Sequence, residues 1–135
     1  ICCSCMTILE EISCPCGSGL TLTDCCGRFL SGREQAATAE QLMRSRYTAF
    51  VLCDTTYLAR TWHPDTRPAN IDAGDVKWLG LKVKQVQGGG IGDDTGSVEF
   101  VARYKVDGRG HRLHEVSQFS RLDGRWFYLH GDFRE

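Results

Sequence analysis

Neither sign of charge prevails in this chain, and no apolar stretch approaches the roughly 18 residues that cross a bilayer as a helix. Sixteen basic against 17 acidic residues leave a formal net charge of -1, so no overall field draws the chain toward nucleic acid or an anionic surface. Any such attraction is confined to a local basic patch. The rest of the composition, 41% hydrophobic and 24% charged, is that of an ordinary soluble protein and excludes a membrane-spanning one. Also missing are the signatures of several enzyme classes: there is no G-x-S-x-G, no P-loop, no H-E-x-x-H, and no carboxylate pairing suggestive of glycoside chemistry. Residues 1–13 contain Glu10 and Glu11 and lack the basic and long apolar regions of a signal peptide, so the expected compartment is a reducing cytosol. A length of 135 residues suits one main core with a small appendage.

Cysteine is what the chain has in excess. Of eight, seven lie in the first 26 residues, at Cys2, Cys3, Cys5, Cys14, Cys16, Cys25 and Cys26, while Cys53 stands alone. A disulfide scaffold spreads its cysteines over the fold it staples, whereas clustered thiols in a reducing compartment more often bind metal. Ile1–Cys5 precede Met6 and show no helical or strand pattern. They read as an upstream extension, and residues 1–13 as poorly ordered; the alternative, a second thiolate site, is disfavoured because three cysteines crowded into four positions make a poor tetrahedral set.

From Cys14 the spacing is C-x-C-x8-C-C. Pro15 stiffens the gap between the first two thiols, and Gly17 and Gly19 let the backbone turn so that amide N–H groups can face sulfur. Cys14, Cys16, Cys25 and Cys26 therefore read as a closed four-thiolate site for one structural zinc ion, with no coordination position left for catalysis. Such a site carries a net charge of about -2, which backbone donors, Arg28 and Arg33 are placed to offset. Two disulfides or free buried thiols are the alternative, at the cost of a strained Cys25–Cys26 neighbourhood. Cys53, beside Val51 and Leu52, reads as an inert buried thiol.

The run Cys14-Pro15-Cys16-Gly17-Ser18-Gly19 followed by Cys25-Cys26-Gly27 resembles the SEC-C motif, the zinc module at the C-terminus of the SecA translocation ATPase. The last ligand there is commonly His, and Cys26 stands at that position here. Beyond the module, Arg44-Ser45-Arg46-Tyr47-Thr48-Ala49-Phe50, Thr61-Trp62-His63-Pro64 and Gly124-Arg125-Trp126-Phe127-Tyr128 are similar to the bacterial YchJ-like proteins. That resemblance implies a SEC-C module over residues 14–32 ahead of an NTF2-like domain over residues 33–135. It assigns no reaction. Through the SecA comparison it implies a protein partner such as a SecB-like chaperone, or the ribosome, met by Arg28, Arg33 and the Gly-rich turns.

Periodicity supports an α+β fold independently. Thr38-Ala39-Glu40-Gln41 fits a capping box, and Leu42, Met43, Tyr47, Phe50 and Val51 form one helical stripe of about four turns, with Arg44 and Thr48 outside it. Asp54 caps a shorter helix expected to run through Tyr57, Leu58 and Trp62 until Pro64 stops it. Residues 64–77 read as an irregular connection. Past Trp78 the period is two: Leu79, Leu81 and Val83, then Val98, Phe100, Ala102, Tyr104 and Val106, then Leu113–Leu122 and Trp126–His130, broken at Gly88–Gly90, Asp107-Gly108 and Asp123-Gly124. The expectation is a four-stranded antiparallel meander curling round the helices into a cone.

A cone encloses a concavity. Trp62 and His63, at the helix end before Pro64, with Tyr104 and Glu115 from the strands, are the candidate pocket residues. Glu115, Ser117 and Phe119 share one face of the third strand and His114 the other, which rules out a His114–Glu115 acid/base pair without a bulge. Two readings follow: a docking module acting through the zinc knuckle, and a small-molecule pocket or enzyme in the cone.

Overall fold

The computed structural model describes residues 12–74 and 76–134. The expected extension lies outside the described residues except for Ile12 and Ser13, and with it Cys2, Cys3 and Cys5. The described chain forms helices α1 (Gly27–Leu30), α2 (Ala39–Leu52) and α3 (Thr55–Arg60), followed by strands β1 (Lys77–Gly88), β2 (Thr95–Val106), β3 (Arg109–Leu122) and β4 (Arg125–Arg134). The strands pair in sequence order as one antiparallel sheet. The α+β architecture inferred from periodicity is the one observed, and it has the helix-on-curved-sheet form that the resemblance implied. No helix among the described residues is long and apolar enough to cross a membrane.

Local chemistry sets the helix ends. Thr38 has extended backbone, and its Oγ1 accepts from the Gln41 N–H at 3.1 Å, while the Gln41 side chain accepts from the Ala37 N–H at 2.8 Å. The reciprocal cap thus reaches one residue further back than the expected box. At the other end Cys53 turns left-handed with φ 61°, half-buried rather than buried, and Asp54 at once caps α3 by accepting from the Tyr57 N–H at 3.0 Å. Helix α3 stops at Arg60, short of Trp62. Strand pairing takes the next residues: the Tyr128 N–H donates to the Thr61 carbonyl and the His63 N–H to the Tyr128 carbonyl, each at 2.8 Å, so Trp62 forms an isolated parallel bridge with β4.

In the sheet, Asp107-Gly108 and Asp123-Gly124 both have positive φ at their two positions, the geometry of tight hairpin turns that follow the strands' twist. A register shift between Trp78 and Gly80 overturns one face assignment: Leu79, expected inside, is 47% exposed, and Trp78 takes its place against Tyr47 and Tyr104. A second shift, between Gln118 and Phe119 on the β3 side, leaves Leu129 extra on β4, so Tyr128 opposite Phe119 and Phe133 opposite Glu115 both keep to the concave side.

Helix α2 crosses that concave face. Its first N–H, on Ala39, donates to the Gly89 carbonyl at 2.9 Å, and the approach is so close that a side chain at Gly89 would collide with Ala39. More of the helix is buried than a single stripe: Ser45, Arg46 and Thr48 are buried along with Leu42, Met43 and Tyr47. The cysteine segment covers Thr48, while Tyr57 covers Ser45, and Leu58 and Thr61 cover Arg46. Cys14, Cys16, Leu22, Cys25 and Cys26 belong to the same hydrophobic cluster as Leu42, Met43, Tyr47, Val98, Phe100, Phe119 and Trp126. The appendage expected to fold semi-independently therefore shares the main core.

Candidate functional site

Two constructions are built on this frame, a thiol cluster on the outer side of α2 and a cavity between α2 and the sheet. The cluster forms because the Ser13–Thr21 bridge closes a short hairpin that carries Cys14 and Cys16, while the turn leading into α1 presents Cys25 and Cys26. All four thiols are buried and unbridged, and their sulfurs lie within 4.8 Å of one another. Cys16 and Cys25 sulfurs are 3.7 Å apart and those of Cys25 and Cys26 4.0 Å. Tetrahedral thiolates about 2.3 Å from zinc stand roughly 3.8 Å from one another, so the set fits that ion.

Surrounding groups suit concentrated negative charge. The Ser18 hydroxyl donates to Cys25 Sγ at 3.1 Å, and the Thr48 hydroxyl lies 3.7 Å from Cys14 Sγ. Arg44 donates to the Cys16 carbonyl at 2.9 Å and Arg28 to the Cys25 carbonyl at 3.0 Å. Of the two arginines expected to offset the charge, Arg28 is beside the cluster, whereas Arg33 turns to the Thr23 carbonyl. Arg44 and Thr48 come from α2, and only the packing of the helix on the hairpin reveals their part. Without a cation the thiols compete: contact with Cys14 lowers the Cys16 thiol and raises that of Cys26. A metal ion removes that competition by deprotonating all four.

The cavity has a volume of about 490 Å³, within the usual range of small-molecule sites. Its wall is mainly aromatic and aliphatic, with Tyr47, Phe50, Trp78, Phe100, Tyr104 and Phe133 prominent. Of the residues expected to line a pocket, Trp62, Tyr104 and Glu115 lie in this wall. His63 does not: its Nδ1 accepts from the Asp65 N–H at 3.1 Å and its ring meets Phe127 edge-on. The strand pairing that ends the helix before Trp62 is what turns His63 away. His114 points to the other face of β3, where it meets Glu99 at 2.6 Å.

Buried polar groups interrupt the apolar wall. Arg46, which periodicity did not single out, donates from Nη1 to the Leu58 carbonyl at 2.9 Å and to Thr61 Oγ1 at 2.7 Å. Its guanidinium stacks on Tyr128 and Trp62, 4.6 and 5.0 Å from the ring centres. Burial lowers its pKa to about 10. Glu115 accepts on Oε2 from the Ser117 hydroxyl and, at 3.5 Å, from that of Tyr128. Burial raises the Glu115 carboxyl, the hydrogen bond from Ser117 opposing the shift, and burial likewise pushes Tyr128 up to about 12. Gly131 makes room for the carboxyl, since a side chain there would overlap it. Arg46 and Glu115 make no ion pair with each other among the described residues. The indole N–H groups of Trp62 and Trp78 are buried and meet no acceptor among the described residues. The shared face of Glu115 and Ser117 was visible in strand parity; Arg46 lacked any such signal, since a helical arginine ordinarily faces water.

Fold and site together define a class: an NTF2-like cone with a SEC-C cysteine knuckle packed on its helix. Comparison with known proteins narrows this. The family described as YchJ, middle NTF2-like domain, matches residues 38–131, and the SEC-C motif matches residues 13–28. The chain belongs to the YchJ family. A UPF0225 protein of Ralstonia nicotianae is 53% identical, the match covering 89% of this chain and 90% of that one. A UPF0225 protein of Streptomyces coelicolor is 50% identical over 89% of this chain and 94% of that one. Among solved structures, a SEC-C motif containing protein from Rhodopseudomonas palustris matches with a TM-score of 0.81 at 36% identity, covering 92% of this chain and 100% of that one. A second such protein, from Psychrobacter arcticus, matches with a TM-score of 0.78 at 27% identity, covering 95% and 86%.

Proposed function

We propose that this protein binds a small, largely apolar molecule inside the cone, in the cytoplasm, with one zinc ion on Cys14, Cys16, Cys25 and Cys26 holding the wall in place. The observation that carries the reading is the cavity itself: about 490 Å³ of mostly aromatic surface enclosing two buried ionisable side chains that do not pair with each other. A space kept only for packing would be expected to collapse onto apolar groups, because burying charge without a partner is costly. The zinc is structural, its four thiolates leaving no open position. A docking role for the knuckle would have the exposed residues 17–21 and 31–35 to work with, turns that enclose no space, whereas the cavity is enclosed and carries buried polar groups, and this favours the cavity reading. Trp62 and Trp78 in the wall provide the readout. Titration with a naphthalene-sized apolar probe is expected to change tryptophan emission saturably at one site per chain. Phe100→Trp, which fills the cavity, is expected to abolish that response while the circular dichroism spectrum is kept. Non-saturable quenching, or equal quenching in the variant, would place the probe elsewhere.

A further inference from the structure

The polar groups of the cavity restrict what its occupant carries, and the restriction rests on the cavity being a binding site. Tyr128 links them: its ring supports the Arg46 guanidinium at 4.6 Å, and its hydroxyl donates to Glu115 Oε2 at 3.5 Å. Arg46 thus lies against the ring of Tyr128 and Glu115 at its hydroxyl, so both groups border the same part of the cavity. Each has spent part of its capacity. Both hydrogen bonds of Arg46 leave from Nη1, to Leu58 and Thr61, so Nε and Nη2 remain as donors. Both hydroxyls reaching Glu115 bond to Oε2, so Oε1 remains as an acceptor. An additional anion here would face Glu115, and an additional cation would face Arg46. Either would also shed its own hydration in an apolar chamber. A group that accepts from Arg46 and donates to Glu115 without bearing charge satisfies both ions at once.

We infer that the ligand of this cavity is an uncharged, mostly apolar ring compound bearing one alcohol-type hydroxyl, which accepts from Arg46 and donates to Glu115. The flat aromatic wall from Tyr47, Phe50, Trp78, Phe100 and Tyr104 takes the ring. The hydroxyl supplies orientation.

Four probes that share one ring system test this: methylnaphthalene, naphthylmethanol, naphthoate and naphthylmethylammonium, titrated into the zinc-loaded full chain by calorimetry near neutral pH. Naphthylmethanol is expected to bind about tenfold or more tighter than each of the other three, the worth of a hydrogen bond to a charged group. In Glu115→Gln the ratio of alcohol to methyl affinity is expected to fall toward one. The wild-type ranking is informative even if that variant does not fold. Methylnaphthalene and naphthylmethanol binding equally would overturn the hydroxyl assignment while leaving the cavity a binding site. Tightest binding of naphthoate would hand recognition to Arg46 alone, tightest binding of the ammonium compound to Glu115 alone, and either overturns the inference. Binding of none of the four would remove the cavity reading itself.

Discussion

Glu115 shows how one side chain is made unusual by its neighbours. On a strand with one wet face a glutamate belongs outside; here parity turns it inward, and Gly131, which lies on β4 opposite Ser117, leaves the space it fills. Burial holds its carboxyl above the ordinary 4.5, with Ser117, Tyr128 and Arg46 opposing the shift and Asp132 adding to it. The folded protein thus keeps this proton at pH values where the unfolded chain has lost it. Between those two pKa values the native state binds more protons, so the stability tied to Glu115 is fully present below 4.5 and is lost as pH rises through the folded value. Glu115→Gln removes the titration and keeps the shape. The stability of wild type relative to this variant, from thermal melts between about pH 4 and 8, is expected to decline with rising pH and then level off, each tenfold change in proton affinity being worth about 1.4 kcal/mol. A difference that stays flat or rises with pH would show that the carboxyl is solvated in the folded state.

At the scale of elements, α2 positions both sites: Thr48 and Arg44 meet the cysteine hairpin, while Met43, Arg46, Tyr47 and Phe50 face the cavity. Its start is held by the Thr38 cap and by the bond from Ala39 to Gly89. Thr38→Ala removes the first of these and is expected to cost about 0.5–2 kcal/mol, seen as a lower urea midpoint with an unchanged slope. An unchanged midpoint would mean that the Gln41 side chain and the Gly89 contact hold the terminus without it. The element boundaries that sequence placed well, Thr38, Asp54 and the two Asp-Gly turns, are those where one residue's local bonding decides. Those it misplaced, the end of α3 and the inward side of β1, depend on a partner strand: Tyr128 claims Thr61 and His63, and β2 imposes the shift beside Trp78.

For the molecule as a whole, the consequence of a shared core is cooperativity. Sequence suggested a main core with the zinc module as a small appendage to it. With Cys14, Cys16, Cys25 and Cys26 in the same cluster as Tyr47, Val98 and Phe119, loss of metal instead leaves four competing thiols inside the main core. Protein prepared under reducing conditions is expected to hold about one zinc per chain. Chelation is expected to lower its melting temperature while far-UV circular dichroism and tryptophan emission still report one common transition. Two separated transitions, with the sheet's midpoint unmoved, would restore the independent module.

The cysteine spacing, the caps and the alternation of the strands were enough to specify a thiol cluster, two longer helices and a four-stranded meander, because each is written in contacts a few residues apart. The resemblance carried by the Cys14–Gly27 run supplied the SEC-C module, and the one carried by residues 44–50, 61–64 and 124–128 supplied the family. Arg46 inside the cavity, His63 outside it, and the burial of the cysteines in the main core came from surfaces brought together across a dozen positions or more, as between Arg46 and Leu58 or Arg44 and Cys16. No local pattern records such a meeting, since whether a helix face is wet or dry depends on what the rest of the chain lays against it.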